Sequence, residues 1–253
     1  MSNMEYNDLV LESMHELRYF NQRLKNLSEQ LTKSLGIDKI NQEKPISIKA
    51  AQADQLRVVA DGILNLSQLF TTRLDFIDVE LNPNAIEHLS IHQVNVYGKF
   101  DKARKMLNAL SREKKVKVNI EADFNQRRVI DAYSIIDILP YLLLDNAIKY
   151  SPEGAGVDVE FTYYDCSTCV EISSMGPFVP AGEMGSLTDK HFRGENAKQV
   201  ENIVGRGIGL YFVKYISDLH DIELTFKSDR YSFEIDNIPY SNFTVTLNIP
   251  WGE

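Results

Sequence analysis

The hydrophobic pattern changes near residue 83, and this change constrains the fold more than any other feature of the chain. Before it, apolar residues recur every seven positions, at Val10, Leu17, Leu24 and Leu31. A second run is spaced mostly three and four positions apart, at Leu56, Val59, Ile63, Leu66, Phe70, Ile77 and Leu81. This spacing is typical of helices whose apolar stripes pack against other helices. The pattern therefore predicts two helices, joined by the polar segment GIDKINQEKPIS.

One helical hairpin buries little apolar surface by itself. A homodimeric four-helix bundle is its natural completion, and a monomeric hairpin folded onto the rest of its own chain is the alternative. The Asn-Pro-Asn sequence at 82–84 marks the joint between the two halves. We therefore predict a helical dimerisation domain over 1–83 and a second domain over 84–253.

The second half mixes helical and alternating patterns. Helices are predicted over 94–115, 132–151 and 207–220, and strands over 116–122, 156–164, 169–174, 222–228, 231–236 and 242–250. Hairpins connect most of the strands, so the sheet should be mostly antiparallel. The predicted fold class is α+β, a helical hairpin followed by an α/β sandwich.

Composition excludes some functions. The net charge of −9 argues against a general nucleic-acid binder, because phosphate backbones require clustered Lys and Arg. The sequence has no apolar run long enough to span a membrane, so a cytoplasmic protein is the expectation. Cys166 and Cys169 lie between two alternating segments, which favours a β-hairpin turn over half a zinc site.

Three glycines, at 205, 207 and 209, open the helix predicted over 207–220. Glycine allows a ligand to approach the backbone closely, and a helix start offers N–H groups to a phosphate. A polar loop precedes the glycines where a dinucleotide-binding fingerprint would have a strand, so that fold is not indicated.

The sequence LLLDNAIKYSP, followed about sixty residues later by GRGIGL, resembles the N box and G2 box of the histidine-kinase-like ATPase superfamily. Between them, SSMGPFV and Phe192-Arg193-Gly194 resemble its G1 box and F box, and the likeness covers about residues 85–250. It implies a Bergerat-type fold that binds ATP with Mg2+, and Asn146 as the magnesium ligand. The other binding residues that it implies are Lys149, Tyr150, Ser174, Gly176, Arg193, Gly205, Gly207, Gly209 and Leu210.

The segment SMHELRYFNQRL resembles the H box of dimerising histidine kinases. His15 lies two residues before Leu17 and so points away from the apolar seam. An exposed imidazole beside the carboxylate of Glu16 suits a phosphate acceptor, and Arg18 could steady the γ-phosphate. The alternative is an ordinary surface histidine.

Three of the boxes depart from the family pattern. Leu142 stands where a polar residue activates water in the hydrolytic relatives, so free ATP hydrolysis is not expected. Ser174 replaces the aspartate that selects adenine, and Phe178 replaces a glycine of the same box. Tyr19-Phe20 replaces the usual Thr/Asn-Pro after the H box, so little phosphatase activity is expected.

Together these features predict a two-component histidine kinase that autophosphorylates on His15 and passes the phosphate to the receiver domain of a response regulator. One alternative is a histidine phosphotransferase that takes its phosphate from a receiver protein. A pseudokinase scaffold with a degenerate nucleotide site is the other.

Overall fold

The computed structural model describes residues 21–22, 24–35, 50–123, 128–200, 207–230 and 233–251. The chain divides into two compact units, Met1–Leu89 and Ser90–Glu253. The boundary predicted at 83/84 lies a few residues before this division. None of the described helices is both long enough and apolar enough to cross a bilayer.

In the first unit the described residues form two helices, α1 over 24–35 and α2 over Ala50–Leu81. They contact each other at Gly62, where a Cβ atom would lie 3.2 Å from Cδ1 of Leu27. Leu56, Val59 and Leu66, three members of the predicted apolar stripe of α2, are buried. A 3-10 helix, Pro83–His88, follows α2, and the Asn82 side chain caps its start by accepting from the Asn84 N–H, 3.3 Å away.

The second unit contains a six-stranded sheet whose main order is β2-β4-β5-β8-β6, with β7 paired to β8. The strands are β2 (Lys117–Ala122), β4 (Gly156–Tyr163), β5 (Ser167–Pro177), β6 (Glu223–Ser228), β7 (Phe233–Ile235) and β8 (Ile238–Pro250). Among the described strands of this sheet, only β2 and β4 are parallel neighbours. The sheet is mostly antiparallel, as the sequence predicted.

Helices cover one face of this sheet. They are α3 (Val96–Met106), α4 (Asn108–Glu113), α5 (Leu139–Tyr150), α6 (Glu195–Gln199) and α7 (Gly209–Leu219). Successive residues of a strand point to opposite faces. Val157, Val159 and Phe161 of β4 are buried, whereas Asp158 and Glu160 between them are exposed. The fold is therefore a two-layer α/β sandwich, which confirms the predicted fold class.

The structure corrects two predicted helices. The one expected over 94–115 is interrupted, because Val94 and Asn95 end the strand β1 (Ile91–Asn95) and α3 begins only at Val96. The Asn95 side chain accepts from the Gly98 N–H at 3.0 Å and so fixes this boundary.

The helix expected over 132–151 begins later than predicted. Its first residues end the strand β3 (Val129–Tyr133), which pairs with β1 as a separate antiparallel ribbon. A 3-10 helix, Ser134–Ile138, then leads into α5. The hydrophobic periodicity of the sequence did not predict this ribbon, because β1 and β3 are short and 33 residues separate them.

The predicted β-hairpin at the two cysteines is confirmed. Strands β4 and β5 pair in antiparallel register from Val157–Ser174 to Tyr163–Thr168. Cys166 lies in the connecting turn and is exposed, and Cys169 lies within β5. Among the described residues no group of three or more His, Cys, Asp or Glu side chains could hold a metal ion.

Candidate nucleotide site

Helix α5 presents one half-buried stripe beside a buried one. Leu143, Leu144, Ala147 and Ile148 are buried. The partly exposed positions are Leu142, Asn146, Lys149 and Tyr150, spaced at 0, 4, 7 and 8 residues and so lying on one face of the helix. The sequence LLLDNAIKY therefore separates its packing residues from its polar ones by helical geometry, and Asn146 lies at the centre of the accessible stripe.

The end of α5 is closed by three side-chain hydrogen bonds. Ser151 is extended, as a residue before proline should be, and its hydroxyl donates to the Ala147 carbonyl at 2.7 Å. Lys114 donates from Nζ to the Ser151 carbonyl at 3.0 Å and also to the Lys149 carbonyl. Burial lowers the pKa of Lys114. This cation stabilises the negative end of the helix dipole, directly after the stripe.

Sequence reasoning missed Asp145. Its side chain is buried, and one carboxylate oxygen, Oδ2, accepts from Nζ of Lys149. The other oxygen, Oδ1, is buried and has no hydrogen-bond partner among the described residues. The spacing of four between an acid and a following lysine was the signal that could have found this pair. Asp145 holds the Lys149 side chain along the helix, beside Asn146.

The start of α7 lies directly against Asn146. A Cβ atom on Gly209 would be 3.3 Å from Nδ2 and 3.7 Å from Oδ1 of that side chain. Among the described residues no side chain caps this end of the helix, and the Phe212 N–H donates to the Ile208 carbonyl in the first turn. The N–H groups of Gly209 and Leu210 are therefore available to an anion next to the Asn146 amide.

Gly207 joins this helix start to the preceding loop. Its φ is +70°, and a Cβ atom there would lie 2.6 Å from the carbonyl carbon of His191. The Gly207 carbonyl accepts from the His191 N–H at 3.0 Å. Lys190 adds a contact between the same segment and α7, its Nζ lying 5.4 Å from the centre of the Tyr211 ring. The loop that carries the F box is thereby attached to the beginning of α7.

The same loop is also tied to the end of β5. The Asn196 side chain donates to the Phe178 carbonyl at 2.7 Å, and the Phe178 N–H donates to the Pro239 carbonyl at 2.7 Å. Arg193 donates from Nη2 to the Ala197 carbonyl at 2.9 Å, while its buried Nε has no hydrogen-bond partner among the described residues. A guanidinium with an unused buried donor suits a site for an anion.

The predicted site residues divide into those that the structure describes and those outside the described residues. Asn146 and Lys149 lie on one helix face with Tyr150, and Gly209 brings the start of α7, with Leu210, to Asn146. Ser174 and Gly176 are buried on β5. Arg193 lies in the loop attached at Gly207. The remaining predicted positions, His15, Glu16, Arg18 and Gly205, lie outside the described residues.

Comparison with known proteins places these motifs in a family. Residues 141–252 match the family described as Histidine kinase-, DNA gyrase B-, and HSP90-like ATPase. The match begins on α5 and runs through β8, so it contains every described element of the candidate site. This part of the chain therefore resembles the ATPase domains of that family.

The relatives of this chain include two sensor proteins. Sensor histidine kinase HprS of Escherichia coli (strain K12) is 31% identical over 120 residues, which are 47% of this chain and 25% of HprS. Sensor protein QseC of Salmonella typhi is 24% identical over 219 residues, 85% of this chain and 43% of QseC. The chain spans between a quarter and under half of the length of these relatives. The chain is similar to these sensor proteins over that part of their length.

Solved structures share the fold. The catalytic domain of histidine kinase ThkA, in a nucleotide-free form, superposes with a TM-score of 0.51 at 16% identity, covering 64% of this chain and 98% of that one. Full-length ShkA in complex with AMPPNP gives a TM-score of 0.51 at 14% identity, covering 93% of this chain and 47% of that one. At these identities the likeness concerns the fold alone.

Proposed function

We propose that the chain is the core of a two-component histidine kinase, which phosphorylates His15 from ATP and passes the phosphate to an aspartate of a response-regulator receiver domain. The observation that carries the proposal is the contact of Asn146 with Gly209 at the uncapped start of α7. Two motifs more than sixty residues apart in sequence meet there, and together they offer an amide oxygen and helix N–H groups to a polyphosphate.

The residues of this corner fit ATP and Mg2+. An amide oxygen is a hard, neutral ligand, and magnesium in phosphate sites usually takes one or two protein ligands and keeps several waters. Asn146 would hold the ion, and Lys149, positioned by Asp145, would lie beside the phosphates. When bound, the magnesium nucleotide supplies a transferable γ-phosphoryl group whose charge is partly neutralised.

His15 would be the nucleophile. One ring nitrogen forms the new bond to phosphorus while the bond to the ADP oxygen breaks, and Glu16 takes the imidazole proton. Arg18 would stabilise the negative charge of the phosphoryl group. The receiver aspartate would then attack the phosphorus of the phosphohistidine while Glu16 returns the proton to the other ring nitrogen, so that the N–P bond breaks and a neutral imidazole leaves. Because the helical unit carries the acceptor, we further propose that the protein works as a cytoplasmic homodimer with two such units side by side.

Two positions support an alternative. Leu142 supplies no ligand on the accessible stripe of α5, and Ser174 supplies no carboxylate at the base end of the site. A phosphotransferase that takes phosphate from a receiver protein, or a pseudokinase scaffold, would tolerate both changes. The start of α7, which no described side chain caps, favours the kinase, because neither alternative requires a phosphate site.

Incubation of the purified chain with γ-labelled ATP and Mg2+ tests the proposal. The wild type should acquire an acid-labile, alkali-stable label, and His15→Gln should acquire none. Even outer-shell partners of a metal ligand contribute about 10–100-fold, so Asn146→Ala should lose at least about tenfold of the labelling rate. His88→Gln, which changes an exposed histidine on a 3-10 helix, is the matched control and should label normally.

Two results would contradict this proposal. A label that persists in His15→Gln would place the acceptor elsewhere. No label on the wild type, with label transferred to it from a phosphorylated receiver domain, would establish the phosphotransferase instead.

A further inference from the structure

The second strand of the cysteine hairpin carries two adjacent serines with different surroundings. The Ser173 hydroxyl lies 3.1 Å from the Thr244 hydroxyl and shares a hydrogen bond with it. The Ser174 side chain is only 8% exposed, and its hydroxyl forms no hydrogen bond with any described residue. Since successive residues of a strand point to opposite faces, Ser174 lies on the helix-covered face of the sheet with Val170 and Ile172. A hydroxyl that remains accessible and has no hydrogen-bond partner among the described residues is available to a ligand.

Gly176 provides the space for that ligand. It lies two residues beyond Ser174 and therefore on the same face of β5. The glycine is buried, yet a Cβ atom added to it would have no neighbour within 4 Å. Protein interiors are normally packed more densely than this. The space beside Gly176 and the unused hydroxyl of Ser174 lie together under the helical layer.

The neighbours of Ser174 on the adjacent strands are apolar. Val157 of β4 and Phe243 of β8 are its direct register partners. The carboxylates of Asp158 and Glu171 belong to alternate positions and so lie on the opposite face. These strands therefore line the space with a neutral hydroxyl and with apolar side chains.

We propose that this site binds adenine and guanine nucleotides with similar affinity, and that Ser174 is the residue responsible. The inference rests on the proposed function, in which Ser174 lies at the base end of the nucleotide site. A carboxylate only accepts hydrogen bonds, so it binds the adenine amino group and repels the guanine carbonyl oxygen. A hydroxyl accepts from the amino group of adenine or donates to the carbonyl oxygen of guanine by rotating. The chain therefore uses ATP or GTP as its phosphate donor.

Competition against a fluorescent ATP analogue measures this preference on the full chain. Unlabelled ATP and GTP, each with Mg2+, should displace the probe with dissociation constants that differ by no more than about threefold, because a neutral hydrogen bond to either base has similar strength. Charge-assisted hydrogen bonds are about twice as strong as neutral ones, so Ser174→Asp should prefer ATP by about tenfold or more.

Ser173→Asp is the matched control. It adds the same charge one residue away, on the opposite face of the sheet, and should leave the ratio of the two dissociation constants unchanged. Ser174→Asn, which keeps a neutral side chain that donates and accepts, should also keep the ratio near that of the wild type. It serves as the test if Ser174→Asp does not fold, as judged by circular dichroism.

The outcomes separate this inference from the proposed function. A wild type that binds ATP more than tenfold tighter than GTP would overturn the inference and leave the kinase proposal intact. Binding of both nucleotides without any label on His15 would overturn the kinase proposal alone. Failure of both nucleotides to displace the probe, or of the probe itself to bind, would overturn both.

Discussion

A single backbone position, Gly207, holds the F-box loop against the start of α7. Its φ of +70° lies in the left-handed region that favours glycine, and the backbone of His191 and Phe192 occupies the place where a side chain would begin. The hydrogen bond from the His191 N–H to the Gly207 carbonyl closes the contact. The sequence analysis interpreted the three glycines as a segment that binds phosphate. The second of them, Gly207, is also required by the structure, because its backbone conformation and the nearby loop leave no room for a side chain.

Replacing Gly207 with alanine should therefore disturb the nucleotide site without unfolding the sheet. A non-glycine residue at positive φ costs about 1 kcal/mol or more, and the Cβ clash adds to this cost. We expect the affinity for Mg2+-ATP to fall at least about tenfold, measured by calorimetric titration. Gly182→Ala is the control, because it has open space around its Cβ position and no positive φ. Equal affinities of the two variants would refute this role of Gly207.

At the scale of elements, His220 connects the end of α7 to the β1–β3 ribbon. The Tyr133 N–H can only donate, so Nε2 of His220, 3.1 Å away, must accept. The proton then lies on Nδ1, which donates to the Ile216 carbonyl at 2.7 Å. Burial lowers the pKa of His220 below its ordinary value, while the bond to Ile216 and the charge of Asp221 partly oppose this shift. The fold therefore requires the neutral imidazole.

This requirement predicts a pH-dependent stability with a definite sign. Because the folded-state pKa is below the unfolded value of about 6.5, the contribution is complete above that pH and is lost as the pH falls toward the folded-state pKa. The free energy of unfolding, from urea titrations at pH 7.5 and 5.5, should decrease more for the wild type than for His220→Gln. An equal decrease in both proteins would contradict the assignment.

Helix α5 was largely predictable from the sequence, and the ribbon beside it was not. The capping serine before Pro152 and the apolar run of LLLDNAIKY are local signals, and they placed the end of the helix within one residue of Tyr150. The partners of β1 and β3 are distant in sequence, and so is the contact of Asn146 with Gly209. The motifs suggested that this contact exists, but only the folded chain shows how close it is, since a Cβ atom added to Gly209 would lie 3.3 Å from Nδ2 of Asn146.

At the scale of the whole molecule, the sequence predicts self-association most strongly for the helical unit. The seam at Leu56, Val59 and Leu66 is buried, as its spacing predicted. The predicted acceptor segment around His15 lies outside the described residues, so its arrangement stays a prediction. The domain boundary likewise stays a prediction of the pattern change near residue 83.

We expect the full chain to be a dimer in solution. Light scattering should give about twice the chain mass of 28.9 kDa, because two helical hairpins are needed to complete a four-helix core. Leu64→Asp would place a charge on an apolar side chain of α2 that is 57% exposed in the single chain, and so open to a second copy, and should shift the mass toward that of one chain. Asp61→Asn, at an exposed polar position of the same helix, is the control and should leave the dimer intact. A monomeric wild type would favour a hairpin folded onto its own chain.

The central claim is that Asn146 and the start of α7 form a nucleotide phosphate site, and calorimetric titration of Mg2+-ATP into the full chain tests it most directly. The account predicts saturable binding with one site per chain, weakened at least about tenfold in Asn146→Ala. It also predicts unchanged binding in Asn119→Ala, which alters an asparagine of β2 whose side chain donates a hydrogen bond to Asp158 of β4. Binding that is absent from the wild type, or equally strong in Asn146→Ala, would contradict the account.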